Sequence, residues 1–221
     1  QTLKELMRGE AHNYDEIALD YCGAGCWIEA ASLWAIADAE NAVTPMTYYY
    51  WGWCLEQGQM EGVEETFAKA AATCPDYCFP NRLEAILALQ CAMEKNPQDA
   101  KAPYYLGNLY YDKRQYDLAT GYWEASAALD NTFPTVWRNL ALVYFNKQHQ
   151  AEKAVECMEK AFHLDETDAR ILMELDQLYK RMHRPHAERL AFLQRYPALI
   201  AQRDDFVIEV ITLLNHIGDY V

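Results

Sequence analysis

The chain has 221 residues, 52% hydrophobic and 24% charged, a balance that excludes a disordered polymer. Its formal net charge of −14 repels phosphate backbones and anionic lipid, which argues against nucleic acid and membrane surfaces as partners. Residues 1–99 hold 16 acidic against 5 basic side chains, so a basic partner segment suits the N-terminal half.

Taken in order, Leu3, Leu6 and Met7 share one face and predict the tail of a helix. Tyr14, Ile17, Ala18 and Tyr21 predict a first helix, Gly23-Ala24-Gly25 a turn, and Trp27, Ala30, Trp34 and Ala37 a second helix. Ala18 and Ala30 fall where paired helices cross, and only a short side chain allows that approach. A second pair follows at Tyr48, Trp51, Gly52 and Leu55, then Val63, Phe67 and Ala70, closed by Pro75. From Asp76 to Pro97 the rhythm breaks, leaving one helix with Ala85, Leu89 and Ala92 and an extended lead-in.

The third pair is the stretch from Ala100 to Asn131, with Leu106, Gly107 and Tyr110, then Ala119, Trp123 and Ser126. Leu140, Ala141 and Tyr144 repeat its first half 34 residues later, and Ala154, Met158 and Ala161 continue that fourth pair. The fifth has Leu172, Leu175 and Tyr179, with Asp176 where Gly107 stood, and a short second helix from about Pro185 to Tyr196, ended by Pro197. Val207, Val210 and Leu214 predict one more first helix, followed by Gly218-Asp219-Tyr220, whose free side should expose apolar surface.

A fixed period near 34, with small residues at two inner positions and aromatics between them, is a helix–turn–helix repeat. On these residues the chain resembles the tetratricopeptide-repeat family across nearly its whole length. The resemblance implies an all-α, right-handed α-solenoid of about five repeats, one degenerate repeat and a truncated final helix. Its segments are expected at 1–75 (two repeats), 76–99 (the degenerate single-helix repeat) and 100–221 (three repeats and a lone first helix). The repeat is an architecture without a chemistry of its own, so it implies a non-enzymatic interaction module.

No catalytic or nucleotide motif accompanies it. Gly23-Ala24-Gly25 lacks a preceding strand and a third glycine, and no G-x-x-x-x-G-K-[ST], H-E-x-x-H or G-x-S-x-G occurs. Cys22/Cys26 and Cys74/Cys78 are about two repeats apart, too far for a shared zinc, so neither metal nor cofactor is expected. Seven cysteines at helix positions suit reduced thiols in a cytoplasmic protein, and no run is long enough to span a membrane. Gln1 in place of methionine leads us to expect a piece cut from a longer protein.

In the resembled family, first helices line a groove. Carried over, its positions are Asp15, Leu19 and Cys22; Tyr49, Trp53 and Glu56; Tyr104, Asn108, Tyr111 and Asp112; Arg138, Asn139, Leu142 and Phe145; and Arg170, Gln177 and Lys180. Asn108 and Asn139 offer both a donor and an acceptor to a peptide backbone, and Arg138 a bidentate grip on a carboxylate. Members that clamp a C-terminal carboxylate carry basic residues where this chain has Tyr104 and Glu174, so a chaperone-tail receptor is disfavoured. Tyr49, Trp53, Tyr104 and Tyr111 are expected away from the repeat core, either stacking on a peptide or a sugar ring or filling a narrow groove.

A finer resemblance, through Phe79-Pro80-Asn81, Tyr105-Leu106-Gly107-Asn108 and Phe133-Pro134-Thr135-Val136-Trp137, is to the C-terminal repeat region of large bacterial proteins with a preceding domain of unknown function. It implies a multi-domain scaffold and adds a carbohydrate-associated alternative. The expected partner is thus a peptide or sister domain, with a glycan as the alternative and self-association through the open C-terminal helix as a third.

Overall fold

The computed structural model describes residues 3–218; the expectations placed on the Leu3 side chain, Asp219 and Tyr220 lie outside the described residues. These residues form helices without strands, in two compact units, 1–130 and 131–221.

In the first unit, α1 (Leu3–Met7) precedes α2 (Ala11–Gly23) and α3 (Trp27–Ala39), which pack together. Met7 is buried in a cluster with Tyr14, Ala37 and Ala42, whereas Leu6 points to solvent, contrary to its expected place on the packed face. The next pair is α4 (Pro45–Gln57) with α5 (Val63–Ala72), and the last is α7 (Lys101–Asp112) with α8 (Tyr116–Leu129). Thr44 starts α4 through a reciprocal capping box with Thr47, and Pro45 supplies the preset backbone angle of the first turn.

Close crossing explains the small residues. A methyl group added at Gly52 would come within 2.6 Å of the Phe67 ring, and one at Gly107 would overlap the Trp123 indole. The α4–α5 and α7–α8 pairs are thus locked by an aromatic ring from the second helix lying on bare backbone of the first. Ala18 and Trp34 are likewise fully buried.

Residues 73–83 form no helix, and α6 (Glu84–Lys95) follows. Expected to stand as a second helix, α6 instead lies along α4, touches α5 only slightly, and then packs on α7. Lys95 pairs with Glu56 at 2.7 Å at one end, while Arg82 pairs with Glu16 of α2 at the other. Ala85, Ala88, Leu89 and Ala92 are fully buried, which makes α6 an integral layer of this unit.

In the second unit, α9 (Pro134–Asn146) pairs with α10 (Ala151–Leu164), and α11 (Ala169–Arg181) packs on α10. The short α12 (His186–Leu193) follows, with Pro185 as its cap residue. Pro197 does not simply end that helix; it opens a further turn, α13 (Pro197–Ile200), where its missing N–H needs no partner. The last helix, α14 (Asp204–Ile217), packs on α12.

The expected face of α14 is rotated. Phe206, Glu209 and Leu213 are buried, whereas Val207 is exposed beside Ile208 and Ile211. Glu209 can face inward because Lys180 and Arg189 both donate to it, at 2.9 and 2.6 Å. Arg189 also grips Asp176 through two bonds of 2.9 and 2.6 Å, and both side chains are buried. Asp176 stands at the position held by Gly52 and Gly107 in two other repeats and by Ala18 and Ala141 in the remaining two, and there a buried ion pair takes the place of the close helix contact.

Gly107→Ala should lose about 1–3 kcal/mol of stability to overpacking, despite the better helix propensity of alanine. Combining it with Trp123→Leu should cost less than the sum of the two single changes. Urea unfolding of the four proteins checks this; strict additivity would show that the ring does not press on residue 107. Arg189→Met should cost about 3–5 kcal/mol, because it strands Asp176 without a counter-charge. Lys180→Met, at a half-exposed site, should cost far less in the same measurement.

Candidate partner-binding surface

The expected groove positions of the first unit are largely taken up by the chain itself. On α2, Asp15, Leu19 and Cys22 are buried. Asp15 accepts bonds from Trp34 Nε1 at 2.9 Å and from Thr47 Oγ1 at 3.1 Å, joining α2 to α3 and α4. Burial pushes its carboxyl up to about 6, although both donors and nearby His12 pull it down.

Of the two alternatives for the aromatics, Tyr49 and Tyr104 do not offer open rings for stacking, being 0% and 5% exposed. The Tyr49 ring lies 5.8 Å from that of Tyr105, and its hydroxyl donates to Asp99 at 2.7 Å. Tyr104 packs on Tyr105 at 5.2 Å. The cause is the inserted α6 and the docking of α7, which cover the side of α4 that a regular array leaves open. Trp53 is half-buried, edge-on to Trp27 at 5.8 Å. Glu56 is held by Lys95. Asn108 Oδ1 accepts from Trp123 Nε1 at 3.1 Å, so the amide is oriented by the repeat core. Tyr111 is half-buried between Tyr116 and Trp123, at 5.2 and 5.4 Å, and Asp112 is exposed.

The second unit is arranged differently. Arg138 donates to Glu174 through two bonds of 2.6 and 2.5 Å, and the Arg181 guanidinium lies 5.3 Å from the Phe145 ring. Both links join residues 36 apart, so α9 and α11 run side by side in one register. The Arg138 grip expected for a partner's carboxylate is thus satisfied internally by Glu174, which also accepts from Arg170 at 3.3 Å. Sequence spacing puts both Arg138 and Glu174 at groove positions but does not show that they pair with each other. Asn139, Leu142, Phe145 and Gln177 are half-buried, and Lys180 is engaged by Glu209. Leu142 and Phe145 share the α9 side that carries Arg138, and Gln177 the α11 side that carries Glu174. The α9 and α11 sides that carry these half-buried residues are linked by the Arg138–Glu174 ion pair.

Two further features escaped the sequence reading. One is a cleft of about 440 Å³ lined by Tyr179, Arg184, Glu188, Arg189, Ala191, Phe192 and Arg195. Two of its three cations are paired with carboxylates: Arg189 holds Asp176 and Glu209, and Arg184 donates to Glu159 at 3.1 Å, while the Arg195 guanidinium lies 4.8 Å from the Phe192 ring. The other is an exposed aromatic segment at Tyr77 and Phe79. Among the described residues no cluster of three His, Cys, Asp or Glu side chains could hold a metal ion, and no helix is long and apolar enough to cross a membrane.

No family model matches the chain. A stretch of 81 residues, 37% of this chain, is 30% identical to the human RANBP2-like and GRIP domain-containing proteins 8 and 5/6, and spans 4% of their length. Among solved structures, that of Pseudomonas aeruginosa pilF superposes with a TM-score of 0.50 at 16% identity, over 95% of this chain and 85% of that one. MamA 41-end from Desulfovibrio magneticus RS-1 gives 0.48 at 20% identity, over 88% and 97%. With the helix pairs described above, the likeness to pilF shows the fold: an all-α solenoid of tetratricopeptide-repeat type.

The raised carboxyl of Asp15 has a consequence for stability. The folded state holds this proton more tightly than the unfolded chain, whose value lies near 3.8, so the group's contribution falls as pH rises from 3.8 through about 6. Relative to Asp15→Asn, which keeps an acceptor for Trp34 but cannot ionise, the natural chain should lose about 3 kcal/mol across that window. Urea unfolding at a series of pH values measures the difference, and parallel curves would contradict it.

Proposed function

We propose that the chain is a non-enzymatic protein-interaction scaffold, and that its second unit holds an extended peptide segment or a sister domain against α9 and α11. The observation that carries this reading is the face formed by Asn139, Leu142, Phe145 and Gln177. These four side chains stand half-exposed on two helices joined by Arg138–Glu174 and Arg181–Phe145. Leu142 and Phe145 supply apolar contact, and the two amides suit a peptide backbone. Arg138 positions α9 against α11 in this account and does not itself grip the partner.

The carbohydrate alternative is not favoured. A sugar platform needs open rings, and two of its four expected rings, Tyr49 and Tyr104, are buried.

The test is affinity capture from a lysate of the source cells, comparing the natural chain with Asn139→Ala/Leu142→Ser/Phe145→Ser/Gln177→Ala. Circular dichroism should show that both are equally helical. A protein retained by the natural chain and lost from the variant is the expected result. Equal retention by both would contradict the assignment.

A further inference from the structure

The segment that breaks the repeat also exposes the largest apolar side chains of the first unit. Around Tyr77 to Asn81 the chain is irregular and its residues alternate: Cys78 and Pro80 turn inward and are buried, whereas Tyr77 and Phe79 turn outward, 95% and 72% exposed. Leu83 and Leu87, one helical turn apart at the start of α6, continue the row and are also exposed. Gln90 and Glu94 extend the same side of α6, both exposed. A large apolar row of this kind, rimmed by polar groups, is uncommon on a surface that faces only water.

Its surroundings are acidic. Residues 1–130 hold 20 acidic against 8 basic side chains, a net of −12 out of the chain's −14. Exposed Asp76 precedes Tyr77 at one end of the row, and Glu94 closes the other. Beside Tyr77 and Phe79 opens a cleft of about 200 Å³ at the N-terminal ends of α2 and α4, with Asp15, Glu16, Thr44, Asn81 and Arg82 in its walls. Arg82 is already held there by Glu16 and Glu84, so the local cation is neutralised and the field of the unit stays negative.

We propose that the row Tyr77, Phe79, Leu83 and Leu87 is a docking surface for a basic amphipathic protein segment. Apolar side chains of that segment cover the two rings and the two leucines, while its lysines or arginines meet Asp76 and Glu94. Charge selects this occupant: an acidic segment, or a second copy of this chain presenting the same acidic unit, meets repulsion at both ends of the row. The surface is formed by the inserted segment and α6 of the first unit, and the inference does not depend on the function proposed for α9 and α11.

The probe is a fluorescent peptide of leucine and lysine in helical spacing, with a counterpart carrying glutamate for each lysine. Both are titrated with the full chain and read by anisotropy. The natural chain should bind the lysine peptide, more weakly at about 0.5 M salt, and should not bind the glutamate peptide. Tyr77→Ser/Phe79→Ser/Leu83→Ser/Leu87→Ser leaves the charge unchanged and should weaken binding about tenfold or more. Phe79→Ser alone, with an unaltered thermal melt, should weaken it several-fold, and the α9–α11 variant should bind normally. The proposal is overturned if the four-residue variant binds as well as the natural chain, or if the glutamate peptide binds equally. It is also overturned if the lysine peptide fails to bind, or if light scattering shows a dimer that the four-residue variant dissociates.

Discussion

The structure depends on one steric constraint: the paired helices must approach closely enough for a second-helix side chain to lie on the backbone of the first. Gly52 beneath Phe67 and Gly107 beneath Trp123 meet it by having no side chain at all. The remaining repeat positions follow, because a ring fixed on that backbone sets where neighbouring alanines and tyrosines can pack. At Asp176 the constraint is met by opposite chemistry, a buried carboxylate held by Arg189. A pair of this kind tolerates loss of one partner poorly, since the other remains buried and charged.

The same constraint separates core from surface. Residues at the 34-residue period are committed to the helix pairs, and whatever binds must use the positions between them. In the first unit those positions are closed, because α6 lies along α4 and brings Lys95 to Glu56 while α7 brings Tyr105 to Tyr49. In the second unit α9 and α11 are bridged by Arg138–Glu174 and Arg181–Phe145, and Leu142, Phe145 and Gln177 keep part of their surface in water. One repeat pattern therefore gives two different surfaces, and the difference traces to a single helix that departs from the pattern.

Much of this was legible in the sequence. Helix pairs, turns and crossing residues follow from spacing, since hydrophobic period and small-residue positions are local properties of the chain. The place of α6 was not legible: Ala85, Leu89 and Ala92 match a second helix in spacing, but spacing does not say which neighbour the helix will choose. The burial of Tyr49 and Tyr104 follows from that choice, and spacing alone left open whether these rings stack on a ligand or fill the groove. Arg138 and Glu174 both fall at groove positions in the sequence, yet they are 36 residues apart and their pairing is found only in the folded chain. On α14 the charged Glu209 masked the buried face, because a carboxylate is a poor core residue until Lys180 and Arg189 are placed against it.

The central claim is that the first unit's own chain closes the face that a regular array would leave open, while the inserted segment and the α9 face stay accessible. Hydroxyl-radical footprinting of the intact protein, read residue by residue by mass spectrometry, tests it directly. Tyr77 and Phe79 should label fastest, Phe145 at an intermediate rate, and Tyr49 and Tyr104 as slowly as fully buried Tyr14 and Tyr105. Labelling of Tyr49 and Tyr104 at the rate of Tyr77 would show that face to be open and would contradict the account.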